Sequence, residues 1–319
     1  MLRNILNNAE VQDISTNTLQ GVIPAEAFGV VSSEGKTMEK PSTVSLSHGA
    51  VSVIGRRRSM EDAVTVVPAN DHDLDQHLNY DFFGVYDGNG VAYRVTQKCK
   101  ERLHHVVAEQ FAVLGAEQWE NVMATSFARM DEEIARDECS IGVRGPTIVL
   151  DELVGSTALV VLVGSQEIVV ANCGDSKAVL SCDGNVLTLS SDTKLTRQAE
   201  NVRNLESTAV SGDTKNVKPN VISTPEVRVH KRTKTDNFLV IGSDGLWDVV
   251  GVETACDIVR KCCSGEVLSK RVGVIGNCAA ASAAMLVELA LARKSKDNIS
   301  VIVVELQHVN NANTSTQCT

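Results

Sequence analysis

The sequence predicts an α+β fold, a four-layer sandwich of two packed antiparallel β-sheets flanked by helices. Two observations carry this expectation. Short apolar, β-rich runs recur along most of the chain, joined by Gly-Ser, Gly-Asp and Asp-Gly turns that suit antiparallel pairing. Two pairs of longer segments, with apolar residues at three- and four-residue spacing, interrupt that meander, and such helices cover the outer face of a sheet. The 319 residues, 43% of them hydrophobic, suffice for one large core or two modest ones, and no change of composition marks a domain break.

Residues 1–45 are rich in Asn, Ser, Thr and Glu without periodicity and read as a mobile N-terminal leader. A single domain over 46–306 follows, with 307–319 as a frayed tail. Strands are expected at 50–54, 62–67 and 82–86, where β-branched and aromatic residues cluster between charged or glycine-containing turns. Helices are expected at 91–114 and 117–137; in the first, Val106, Val107, Phe111 and Leu114 share one face. A meander of strands at 157–164, 167–172, 178–182 and 186–189 comes next, then strands near 226–230 and 238–241. Helices at 252–263 and 277–293, the second rich in Ala and Leu, precede a last strand at 299–306.

Composition excludes several classes of function. A net charge of −10, with Arg56, Arg57 and Arg58 as the only tight basic run, leaves no stripe to neutralise nucleic-acid phosphates. Nine cysteines, an odd number without CxxC spacing, suit neither a disulfide framework nor a zinc site, and reduced, mostly buried thiols are expected. The first thirty residues lack the apolar centre of a secretory signal and no apolar run reaches membrane-spanning length, so a soluble cytoplasmic or nuclear protein is expected. No Cys-x5-Arg loop, Gly-x-Ser-x-Gly elbow or Walker loop is present.

Two runs, DFFGVYDG at 81–88 and NFLVIGSDG at 237–245, each bring an apolar strand to an Asp-Gly. Two further acidic spots share that context, Glu61-Asp62 and Asp297, each beside a strand-like run. Asp-Gly is also ordinary turn chemistry, and Asp183-Gly184 is read as a turn and no more. Four acidic spots at strand ends are another matter: gathered together they persist only if cations or protons neutralise them. Oxygen-only donors select hard ions, magnesium or manganese, over zinc. The loop from Asp87 is no EF-hand, because its sixth position is Ala92 and its twelfth Lys98. Arg57, four residues before Glu61, presents a planar fork to a phosphate at the same rim. A pair of divalent ions that acidifies a shared water and clamps an in-line displacement at phosphorus makes phosphoester hydrolysis the reaction these parts fit.

From about Leu46 to Leu306 the sequence closely resembles the metal-dependent serine/threonine protein phosphatases of the 2C type, plant members in particular. The motifs are Ser52-x-x-Gly55-x-Arg57-x-x-Met60-Glu61-Asp62, Phe82-Phe83-Gly84-Val85-Tyr86-Asp87-Gly88, Val154-Gly155-Ser156-Thr157-Ala158, Ala171-Asn172-Cys173-Gly174-Asp175-Ser176, Ser243-Asp244-Gly245-Leu246-Trp247-Asp248 and Lys296-Asp297-Asn298-Ile299-Ser300. The resemblance implies a central β-sandwich with a binuclear manganese or magnesium centre at one end. By motif position, Asp87 bridges both metals, the Gly88 carbonyl binds one, and Asp244 and Asp297 bind the other. Glu61 and Asp62 hold metal-bound waters, Asp175 and Asp248 match a third, weaker metal site, and Arg57 matches the phosphate-binding arginine.

Two departures bear on activity. Where the family reads Asp-Gly-His-Gly-Gly, this chain reads Asp87-Gly88-Asn89-Gly90-Val91, and asparagine cannot donate the proton that the family histidine gives to the departing oxygen. Thr193 likewise replaces a usual histidine, and between Lys194 and Lys218 the flap is short and lacks the tryptophan by which a receptor locks onto plant hormone-responsive relatives, which argues against such coupling here. The expected function is hydrolysis of phosphoserine and phosphothreonine in phosphoprotein substrates by a monomeric enzyme, with activity reduced by Asn89. The alternative is a weakened or inactive relative that binds phosphoproteins or signalling partners. His104 and His105 fall on an expected helix beyond the site and are read as packing or surface residues.

Overall fold

A computed structural model describes residues 46–69, 78–88, 93–140, 156–191, 224–265 and 277–306. The leader 1–45, the tail 307–319, Asn89, Thr193 and the shortened flap lie outside the described residues.

Ten strands form two five-stranded sheets in which every pairing is antiparallel. One sheet runs β2 (Ala63–Val67), β3 (Asp81–Tyr86), β4 (Ala158–Val163), β5 (Glu167–Cys173) and β8 (Glu226–Lys231). The other runs β1 (His48–Val53), β10 (Ile299–Glu305), β9 (Asp236–Gly242), β6 (Lys177–Cys182) and β7 (Asn185–Thr188). Helices α1 (Tyr93–Leu114) and α2 (Trp119–Ser140) cover the first sheet. The short α3 (Asp244–Trp247) with α4 (Val252–Cys263) and α5 (Cys278–Ala292) covers the second. The expected four-layer α+β sandwich is therefore what forms.

The period of the strands explains the layering. Successive side chains on a strand face opposite ways. Val160 and Leu162 of β4 accordingly join the core under α1 and α2, while Leu159, Val161 and Val163 join the core between the sheets. Leu239 and Ile241 of β9 meet that central core from the other sheet, and Phe238 and Val240 pack outward under α4 and α5. Both faces of the inner strands are buried, so they read as continuous apolar runs rather than as alternation.

Expected and observed elements coincide to within a few residues at every terminus. Asp183 and Gly184 take φ values of 48° and 78°, the left-handed pair of a two-residue hairpin turn joining β6 to β7, as the turn reading requires. His104 is buried against Phe82 at a ring separation of 5.9 Å, a packing role. One expectation is corrected. Cys263 and Cys278 form a disulfide, with Cα atoms 5.4 Å apart, whereas reduced thiols were expected throughout. The α4–α5 pair brings the last residue of one helix against the first residue of the next, a proximity that sequence spacing does not reveal. Among the described cysteines, Cys99, Cys182, Cys256 and Cys262 are free thiols.

Candidate metal centre

Antiparallel strands alternately arrive at and leave one end of the sandwich, and each acidic residue of interest stands at such a junction. Asp87 follows the end of β3, Asp175 the end of β5 and Asp244 the end of β9; Asp62 precedes β2 and Asp297 precedes β10. The pairing register makes this one rim: Ala63 faces Tyr86, Ala158 faces Cys173, and Gly242 faces both Val301 and Lys177.

Carboxylate oxygens of Asp87, Asp175 and Asp244 lie within 4.8 Å of one another. Burial is the main reason that Asp87 holds its proton far above the ordinary carboxylate range; the charges of Asp62 and Asp244 add to it, and the hydrogen bond to Asp244 keeps the proton on Asp87. Asp244 is raised too, by burial first and then by the charges of Asp175 and Asp297. Burial lifts Asp62 to about 6, against the opposing pull of two hydroxyls: its Oδ2 accepts from Ser300 Oγ at 2.7 Å and from Ser243 Oγ at 3.0 Å.

The backbone around these groups is pinned from the neighbouring strand. Thr157 N donates to the Asp87 carbonyl at 2.8 Å, and Asp87 N donates to Thr157 Oγ1 at 3.1 Å. Gly88 bridges to Ser156. Glu61, nearly buried, accepts from Ser59 Oγ on its own Oε1 at 2.6 Å, and its carbonyl accepts from Thr96 Oγ1 of α1 at 2.8 Å. A Cβ on Gly245, beside Asp244, would lie 1.8 Å from the Asn298 carbonyl oxygen, so only glycine lets α3 approach the start of β10.

Arg57 sits on an exposed loop between β1 and β2, and its Nη2 donates to Asp297 Oδ2 at 2.6 Å. That hydrogen bond raises the guanidinium pKa, with the charges of Asp297, Glu61 and Asp244 contributing. Asp248 is exposed one turn after Asp244, at the outer edge of the cluster. The structure thus brings Arg57, Glu61, Asp62, Asp87, Gly88, Asp175, Asp244 and Asp297 to one rim with Asp248 at its margin. Sequence reasoning gave no part to Ser243, Ser300, Thr157, Thr96 or the Asn298 side chain, whose partners lie far along the chain; position within the quoted motifs was the only signal for four of them, and Thr96, outside every motif, had none.

A set made of carboxylates and a carbonyl fits a hard divalent cation, because burial has raised the cost of its negative charge and oxygen is the donor. The rim can therefore hold metal ions, and beside it stands an exposed arginine whose planar fork has the geometry that suits a phosphate.

The family profile described as protein phosphatase 2C matches residues 46–299. The chain belongs to the protein phosphatase 2C family. Protein phosphatase 2C 37 of Arabidopsis thaliana is 38% identical over 289 residues, covering 81% of this chain and 71% of that one. Probable protein phosphatase 2C 8 of Oryza sativa subsp. japonica is 41% identical over 322 residues, covering 85% and 77%. Among solved structures, a C. elegans sex determining protein shares the fold with a TM-score of 0.64 at 18% identity, over 83% of this chain and 65% of that chain. Serine/threonine phosphatase Stp1 from Staphylococcus aureus superposes with a TM-score of 0.55 at 21% identity, over 86% and 100%. The protein phosphatase 2C resemblance expected from six motifs is thereby established, with plant proteins among the relatives. The family is metal-dependent, and the Asp87, Asp175 and Asp244 cluster is an acidic group suited to that dependence.

Proposed function

We infer that this protein phosphatase 2C hydrolyses phosphoserine and phosphothreonine esters of phosphoprotein substrates at the strand rim. The observation that carries the reading is the convergence of the Asp87, Asp175 and Asp244 carboxylates within 4.8 Å, on the same rim as Arg57. Asp87, the Gly88 carbonyl, Asp244 and Asp297 would hold two manganese or magnesium ions, with Asp175 and Asp248 offering a weaker third position. Ions held there supply a water acidic enough to attack phosphorus near neutral pH. Glu61 and Asp62 orient waters around the centre, and the Ser243 and Ser300 hydroxyls fix the Asp62 carboxylate for that task. Arg57 turns its fork from Asp297 to the phosphoryl oxygens when substrate arrives. The retained carboxylates and Arg57 support turnover over a purely binding role. The short flap without tryptophan gives no basis for hormone-receptor coupling.

Release of phosphate from a phosphothreonine peptide, followed against manganese concentration in wild type and Asp244→Asn, tests the reading. The variant removes one charge from a crowded cluster, so the fold persists while the rate falls on the order of 100-fold or more. Equal rates in the two proteins would refute metal-dependent hydrolysis at this rim.

A further inference from the structure

The loop from Ile54 to Ser59 carries Arg57 yet has almost no apolar anchorage: Ile54, Arg56, Arg57, Arg58 and Ser59 are exposed and Gly55 is half-buried. Packing therefore does not hold it in place. Hydrogen bonds from one buried side chain fasten its two ends. Asn298, 2% exposed, donates from Nδ2 to the Ile54 carbonyl at 2.8 Å and to the Ser59 carbonyl at 3.0 Å. Its Oδ1 accepts from Glu61 N at 2.7 Å and from Asp62 N at 3.4 Å. Both donors and both acceptor sites of the carboxamide are filled, and only this orientation of the amide satisfies them. The Asn298 backbone N–H in turn donates to Asp297 Oδ1 at 2.8 Å. The Asp297 carbonyl also lies against Gly55, which takes φ +60° and where a Cβ would come within 2.2 Å of that oxygen.

We propose that Asn298 is the positioning residue that ties the phosphate-binding loop to the metal-ligating rim, so that placement of Arg57 and placement of Glu61 and Asp62 depend on one carboxamide. The inference rests on the reading of Arg57 and the carboxylates given above. The Asn298 carboxamide is buried and spent on backbone groups; it acts through the two ends of the loop and through Asp297. Its loss would leave the Ile54 carbonyl only the 3.3 Å hydrogen bond from Arg57 N and take the Asn298 donor from the Ser59 carbonyl, letting Arg57 drift while the sheet beneath stays paired through β1 and β10.

The test is a double-mutant cycle of Asn298→Ala and Arg57→Ala, read by KM and kcat on a phosphothreonine peptide and by calorimetric titration of manganese. A misplacement of about 1 Å costs up to about 100-fold, so Asn298→Ala raises KM by about tenfold or more and weakens manganese binding. In the Arg57→Ala background the same substitution leaves KM nearly unchanged, because the group it positions is gone. Asn298→Asp, close in shape, keeps the acceptor for the Glu61 amide and lacks the donors; it reproduces the KM defect if the donors to Ile54 and Ser59 matter. Additive effects in the cycle, or a lowered melting temperature with unchanged KM and manganese affinity, overturn the proposal, as does failure of both variants to fold, which makes Asn298 a determinant of the fold alone. Wild-type hydrolysis that needs manganese and is lost in Asp244→Asn keeps the functional reading intact in each of those cases; its absence removes that reading first.

Discussion

Asp62 and Asp87 carry the same side chain and stand at the same rim, yet their surroundings treat the charge differently. Asp62 receives two hydroxyl donors on one oxygen, which offsets part of the burial that lifts its pKa. Asp87 gains no such donor on its carboxylate from those hydroxyls, and its proton is shared with Asp244. A carboxylate charge that no hydroxyl donor offsets is the one a bound cation would stabilise most, which suits Asp87 to a metal-holding role. The next residue but one is Asn89, where the family has a proton-donating histidine. General acid catalysis contributes roughly two to four orders of magnitude, so Asn89→His is expected to raise kcat on a phosphothreonine peptide by about 100-fold. The gain should shrink for p-nitrophenyl phosphate, whose leaving group departs without a proton. No gain on the peptide would show that another group already supplies that proton.

Between elements, α5 packs closely on β1. A Cβ on Gly49 would come within 2.2 Å of the Ala280 Cα, so helix and strand touch backbone to backbone. Asn277 closes that contact by capping α5, accepting from Ala280 N at 2.7 Å, and by donating from Nδ2 to the His48 carbonyl at 3.1 Å. Adding one methyl where no side chain can move aside is overpacking, which costs about 1–3 kcal/mol. Gly49→Ala should lower the unfolding free energy by that amount, seen as a lower urea midpoint with an unchanged m-value; an unaltered midpoint would mean that α5 lifts off β1 at no cost. The elements themselves were legible because Phe82 to Tyr86 and Leu239 to Ile241 are apolar, β-rich runs, the first ending at Asp87-Gly88 and the second at Gly242. Their division into sheets was not, since nothing local to Glu226–Lys231 states that it joins β5. The carboxylates of the rim were legible for the same reason as the strands: each follows or precedes such a run. Asn298 and Ser300 were not legible as supports, because their partners Glu61 and Asp62 lie 237 and 238 residues away. The Cys263–Cys278 bond was hidden likewise, its ends 15 positions apart in sequence.

For the molecule as a whole, the rim stores a tension that metal should relieve. Asp62, Asp87 and Asp244 all have folded-state pKa values above the ordinary 3.8, so the folded chain binds more protons than the unfolded one once the pH passes that value. Stability from these groups is fully present below the unfolded pKa and is lost as pH rises through about 6 for Asp62 and higher still for Asp87. A shift of this size is worth on the order of a few kcal/mol, enough to move a melting curve. In chelator, the melting temperature should therefore fall between pH 5 and pH 8 more steeply in wild type than in Asp87→Asn, which cannot ionise at that position. Millimolar manganese should reverse the fall, raising the melting temperature far more at pH 8, where the carboxylates are free to bind, than at pH 5, where protons compete for them. Equal metal stabilisation at the two pH values, or the same chelator slope in wild type and Asp87→Asn, would show that the proton-holding cluster and the metal-binding cluster are different groups.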